Sequence, residues 1–257
     1  MPPDLKARMK KNSKAAWSEN PKQNSILAAL PKADFERILP DLELVPLPLK
    51  WTMLESGDHV NFLYFPISGI VSLIYALEDG SSSEVALVGN EGMVGISIFM
   101  GGDSMPSSTE VQSTGKAYKL SRKIMKREFS LGGKLQQYSL LYTQALICQT
   151  SQTAVCNQHH LLEQQLCRWL LMSMDRLHSE DIVITQEMIS HLLGVRRESV
   201  TQAIGQLQKD GLIAVRRGHI KVMDRPAMEA RTCECYEVVR KEYERLLPQV
   251  PDAEPPL

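Results

Sequence analysis

No proline or glycine interrupts the run from Lys134 to His159, and it starts directly after Gly132-Gly133. Within it Leu135, Tyr138, Leu141, Tyr142, Ala145, Cys148 and Gln149 step by three and four residues, the spacing of one stripe on a helix. A helix of that length cannot leave its stripe in water. It buries the stripe against its own domain or against a second copy of itself. A second helical pattern, over about Leu161–Leu177, carries Leu162, Leu166, Trp169, Leu170 and Met174.

Before Gly132-Gly133 the texture differs. A short helix is expected over Ile26–Leu39, followed by a β-like pattern from Val45 to about Leu120. Phe62–Phe65 is an aromatic run ending at Pro66, and Ile70–Leu77 is apolar and rich in β-branched residues. Asp79-Gly80 reads as a hairpin turn, Glu84–Val88 as the return strand, and Glu110–Leu120 as one or two more strands. Short strands with glycine-bearing turns point to a β-sandwich or barrel.

The length of 257 residues suggests about two domains, and 43% hydrophobic residues suffice for a core in each. A net charge of −1 gives no global attraction to nucleic acid, so any DNA-binding surface must come from local clusters of Lys and Arg. No apolar stretch approaches the roughly 18 residues that span a bilayer. The opening MPPDLKARMKKNSKAAW lacks the apolar core of a secretory signal. The five cysteines are an odd set confined to the second half, unlike a secreted disulfide framework. The expected location is the cytoplasm, with no membrane partner. Residues 1–24 read as a mobile, lysine-rich tail, in preference to a basic arm that touches phosphates.

Residues 182–224 carry the functional signal. Thr185 can cap a helix holding Met188, Ile189, Leu192 and Leu193, and Gly194 breaks it. A second helix over Arg197–Lys209 has Val200, Ala203, Ile204 and Leu207 on its inner face, and Gly211 stops it. Leu212–Val215 and His219–Met223 then alternate around Arg217-Gly218 as a two-strand wing. Helix, glycine turn, helix and hairpin together form the pattern of a winged helix-turn-helix. Arg197, Glu198, Thr201 and Gln202 face outward from the second helix, where base edges are read. Arg196, Ser199 and the wing residues Arg216, Arg217, His219 and Lys221 are placed for phosphates.

At these residues the chain resembles the Crp/Fnr superfamily of bacterial regulators. The resemblance rests on Gly194-Val195-Arg196-Arg197-Glu198-Ser199-Val200 and on the helix Leu162–Leu171. It also rests on Phe65-Pro66-Ile67-Ser68-Gly69-Ile70-Val71 and Asn90-Glu91-Gly92-Met93-Val94-Gly95. It covers roughly residues 25–225 and implies an α+β protein. The implied order is a mobile tail at 1–24, a cyclic-nucleotide-binding-like β-roll sensor at 25–133, and dimerisation and connecting helices at 134–178. A winged helix-turn-helix at 179–225 and a C-terminal helix with a Pro-rich tail at 226–257 complete it. By the same resemblance the partners are a palindromic double-stranded operator, a second copy of the chain as homodimer, and RNA polymerase as a further candidate. Arg197 and Glu198 would be the main base readers, with Ser199 on phosphate. The chain departs from the cyclic-AMP receptor pattern at Gln202, where those proteins carry a third base-contacting Arg. It departs again at Arg196, where a Ser-type helix cap is usual.

The resemblance also bears on the sensor. Family members that bind cyclic nucleotides follow Gly-x-x-Gly with a Glu for the ribose and then an Arg for the phosphate. Here Gly92-Met93-Val94-Gly95 is followed by Ile96, and Met105-Pro106-Ser107-Ser108-Thr109 has no basic residue. An effector pocket is placed at Gly92, Gly95, Ser107, Ser108 and Thr109, for a signal other than cyclic AMP, and no cofactor is assigned. The competing readings are a constitutive DNA-binding dimer with a degenerate sensor, and a sensor or interaction module without DNA readout.

No catalytic motif is present, so no enzyme is expected. Cys148, Cys156 and Cys167 fall near helical apolar stripes, and adjacent His159 and His160 point about 100° apart, which makes them poor co-ligands. Cys233-x-Cys235 lacks the usual zinc spacing of two to four residues and is read as part of a plain C-terminal helix over Pro226–Leu247. No metal site is expected.

Overall fold

The computed structural model describes residues 19–248. Most of the expected tail, and the Pro-rich end from residue 249, lie outside them. Residues 19–24, which the composition assigned to the tail, belong to the folded body. Asn24 is fully buried, donates to the carbonyls of Pro66 and Gly92, and accepts from the amides of Ile26 and Leu27. It thereby caps helix α1 (Ser25–Ala29) and ties it to the sheet. The single helix expected here is two. Leu30 is extended, as a residue preceding proline tends to be, and α2 (Lys32–Ile38) starts after Pro31.

An antiparallel five-stranded sheet follows, made of β1 (Glu43–Leu47), β2 (Thr52–Leu54), β3 (Phe62–Ala76), β4 (Ser82–Val88) and β5 (Ser108–Ser121). Its order is β1-β5-β3-β4, with β2 also on β5. β3 unites the two runs that Pro66 and Gly69 separate in sequence. Those residues mark bulges, where the register against β5 shifts between Pro66 and Val71. Gly69 has φ +78°, and a side chain there would meet the Ser113 carbonyl at 2.5 Å. The Asp79-Gly80 hairpin joins β3 to β4 as expected, with Leu77 N–H donating to the Ser81 carbonyl at 2.8 Å. Helix α3 (Ser97–Met100) precedes β5, and α4 (Arg122–Ser130) follows it.

The long helix α5 spans Lys134–His159, and α6 spans Leu162–Leu177. The structure resolves the choice left open for the α5 stripe. Leu135, Tyr142, Ala145 and Gln149 are buried within the chain itself. Leu135, Tyr142 and Leu146 join the core of the sheet domain.

Then come β6 (Asp181–Val183), α7 (Gln186–Leu193), α8 (Arg197–Lys209), β7 (Ile213–Arg216) and β8 (His219–Val222). The wing has three strands rather than two, in the order β6-β8-β7. A second core gathers α6, α7, α8 and the wing, and includes Ile70 and Leu87 from the sheet domain. The C-terminal helix is also two, α9 (Arg225–Arg231) and α10 (Glu234–Leu246), parted at Thr232-Cys233. Of the apolar residues Met228, Tyr236, Val239, Tyr243 and Leu246 along this stretch, all but the partly buried Tyr243 are nevertheless buried. No helix among the described residues is long and apolar enough to cross a membrane.

Candidate nucleic-acid interface

The two helices of the motif are set by local chemistry. Thr185 accepts from the Met188 amide and starts α7, while Gly194 ends it in the left-handed conformation (φ 65°, ψ 35°). Val195 N–H returns to the Ser190 carbonyl at 3.0 Å, closing the turn. Val200, Ile204 and Leu207 bury one face of α8. That burial turns Arg197, Glu198, Thr201 and Gln202 outward, and all four are exposed.

The start of α8 violates the usual helix rules. Its cap residue is Arg196, whose side chain makes no capping bond, and a missing cap costs about 1 kcal/mol. Arg196 and Arg197 are cations at the end of a helix where the backbone dipole favours anions. Neither has an acidic partner among the described residues. Two unpaired guanidinium groups beside free helix amides form an anion-receptive surface.

The wing supplies more positive charge, in two grades. Arg216 and Arg217 are exposed at the turn, with Gly218 at φ 74°, and have no acidic partner among the described residues. His219 instead faces Asp181 at 3.3 Å, and Lys221 faces Glu180 at 3.8 Å. All of these groups are solvent-exposed, so a phosphate competes with weak, screened pairs. Thr201 is also engaged: its hydroxyl lies 2.8 Å from Gln186 Oε1 and 3.0 Å from the Arg197 carbonyl.

The expected effector pocket is only partly assembled. Gly95, Ser107 and Thr109 line a cavity of about 20 Å³ with Leu73, Met93 and Leu146. Gly92 does not line it. A side chain at Gly92 would strike the Tyr142 ring at 2.5 Å, so this glycine makes room for α5. Ser108 does not line it either. Strand alternation turns it to the other face of the sheet, where its hydroxyl donates to the Ile74 carbonyl at 3.3 Å. The charged residues on the cavity wall are Glu55 and Asp58.

Two family models match the chain. The cyclic nucleotide-binding domain covers residues 49–130, and the Crp-like helix-turn-helix domain covers residues 164–231. The chain belongs, by fold and domain order, to the Crp/Fnr superfamily. A Crp/Fnr chain is a transcription factor with a DNA-binding helix-turn-helix, and not an enzyme. Solved structures share the fold at low identity. A Crp/Fnr-family putative transcriptional regulator from Eubacterium rectale is 17% identical, with 81% of this chain and 97% of that one covered at a TM-score of 0.63. FixK2 from Bradyrhizobium japonicum is 14% identical, with coverages of 75% and 98% and a TM-score of 0.66. A CRP-family regulator from Thermus thermophilus is 20% identical, with coverages of 73% and 95% and a TM-score of 0.62. No curated protein matches the sequence.

Sequence reasoning missed one cluster in this Crp/Fnr chain. Cys156, His160, Cys233 and Cys235 converge at the C-terminal end of α5, with their ligand atoms within 4.8 Å of one another. A signal was present. Cys156 and His160 are four residues apart, the spacing that stacks side chains on one helix face, whereas attention fell on the adjacent pair His159-His160. The hydrogen bond between the two sulfurs pulls the Cys233 thiol below the usual thiol range and pushes the Cys156 thiol above it.

Proposed function

We propose that the protein is a sequence-specific DNA-binding regulator that acts as a homodimer and responds to a signal other than cyclic AMP. One observation carries the DNA reading. α8 presents Arg197, Glu198 and Gln202 without intramolecular partners, next to Arg196, at a helix start that sacrifices its own cap to place them. In this reading Arg197, Glu198, Thr201 and Gln202 meet base edges, Thr201 after leaving Gln186. Arg196, Ser199, Arg216, Arg217, His219 and Lys221 meet phosphates.

The dimer reading is supported by the outer face of α5. Leu140, Gln144, Ile147, Ser151 and Ala154 are all exposed and step by four and three, a heptad seam. Leu140 is 50% and Ile147 58% exposed, unusual for the apolar members of an otherwise well-packed helix. The effector reading is supported by the sensor cavity. It has room for about one water, and its charged wall is acidic, so a cyclic phosphate would find repulsion and no cation. The same closed cavity also favours a second reading, a constitutive dimer whose sensor is only a scaffold.

Selection from a random duplex library by the ligand-free protein tests these readings. The expected result is a two-fold-symmetric motif with half-sites about one helical turn apart. Arg197→Ala is expected to cost about 1–3 kcal/mol on the selected site and relax one position, whereas Lys221→Ala weakens all sequences alike. An unchanged preference in the Arg197 variant sinks the base-reading assignment. Affinity for the selected site that stays the same with every added pool of small cell metabolites favours the scaffold reading.

A further inference from the structure

Two distant stretches of chain meet where α5 ends. The last turn of α5 offers Cys156 and, just beyond the helix, His160. The break between α9 and α10 offers Cys233 as the residue capping α10 and Cys235 in its first turn. In an unbroken helix, residues two apart point roughly 200° apart and cannot share a ligand. The extended backbone of Cys233 (φ −84°, ψ 166°) removes that obstacle.

The separations match a coordination sphere. Cys156 Sγ and Cys233 Sγ are 3.6 Å apart, and Cys235 Sγ is 3.4 Å from His160 Nδ1. A tetrahedral zinc with bonds of about 2.3 Å to sulfur and about 2.0 Å to nitrogen has edges of about 3.8 Å and about 3.5 Å. The surroundings are also those of a metal site. The three cysteines are buried. His160 Nε2 lies 3.3 Å from the Glu234 carboxylate, which would orient the ring so that Nδ1 faces the metal. Gln152 Nε2 donates to Cys235 Sγ at 3.2 Å, as amides do to a thiolate.

We propose that Cys156, His160, Cys233 and Cys235 bind one zinc ion, which fastens the end of the DNA-binding unit to the end of the long helix. Binding replaces three thiol protons by three S–Zn bonds, with the protons released to solvent and no electron transferred. Four protein ligands leave no open position, so the ion is structural and not catalytic. The segment it closes, Cys156 to Cys233, contains α6 and the entire winged helix-turn-helix.

The test uses the full chain, purified under reducing conditions from zinc-supplemented cells and dialysed. Mass spectrometry of the metal is expected to find one zinc per chain. Exchange for cobalt(II) is expected to give the intense visible bands of a tetrahedral thiolate site. His160→Ala is expected to abolish those bands, His160→Cys to restore them at longer wavelength, and Cys148→Ser to leave them unchanged. Cobalt titration of the wild-type chain does not depend on any variant folding. A folded wild-type chain with no zinc and no cobalt bands would overturn the proposal.

Discussion

Glu84 on β4 is enclosed between the sheet and α6. It accepts from Trp169 Nε1 at 2.9 Å and faces the Ser72 hydroxyl, which also faces Gln112 Oε1 at 3.0 Å. A serine has one proton to give, and an ionised Glu84 would leave two acceptors competing for it. A protonated Glu84 donates to Ser72, which then donates to Gln112. Burial pushes this carboxyl up to about 7, against the pull of the Ser72 and Trp169 bonds and of the Arg168 and Arg176 charges. The unfolded chain titrates near 4.5. Between those values only the folded state keeps the proton, so the group's contribution is full below 4.5 and is lost as pH rises through about 7. Glu84→Gln keeps the donor to Ser72 and the acceptor for Trp169 and removes the ionisation. Near pH 8 the variant is expected to be more stable by on the order of 3 kcal/mol, with the gap closing toward acid pH. Thermal unfolding across this range checks it, and a less stable variant near pH 8 would show that the carboxylate is held ionised. None of this is legible in the sequence, where Glu84 is one polar residue in an alternating strand. The outward residues of α8 are legible, because three buried residues at helical spacing fix the opposite face. The cysteine cluster is not, because its halves lie in stretches far apart in the chain.

Elements show the same division. Sequence and structure agree on the limits of α5 and α8: Gly132-Gly133 precedes an α5 run free of Pro and Gly, and Gly194 and Gly211 bracket α8, which tolerates Gly205 in its interior. Pro66 and Gly69 mislead, since a bulge and a strand end use the same residues. The outer seam of α5 escapes notice for another reason. Both faces of the helix carry apolar residues, and only packing reveals which face the chain itself covers. A prediction follows from that seam. Ile147→Glu places a charge on an exposed position, so the chain is expected to fold normally but to sediment as a monomer and to bind palindromic DNA more weakly. A variant that sediments as a dimer would move the interface off α5.

At the scale of the molecule, Arg176 joins the parts. From α6 it donates to Gln149 Oε1 on α5 at 2.8 Å, pairs with Glu91 of the sheet domain at 2.9 Å, and lies 5.6 Å from the ring of Tyr243 on α10. The guanidinium is buried, so removing it strands Gln149 and the half-enclosed Glu91. Arg176→Ala is expected to cost about 3–5 kcal/mol in chemical denaturation. A loss below about 1 kcal/mol would mean that the two cores hold together without it.

The chain leaves the sheet domain along α5 and returns to it along α10, whose following residue, Leu247, is buried in the first core. The DNA-binding unit is therefore an excursion between two anchors rather than a ball on a tether. A tethered unit gives up rotational freedom when it seats on an operator. Here much of that freedom is surrendered when the chain folds, so the encounter with DNA begins from a body already oriented.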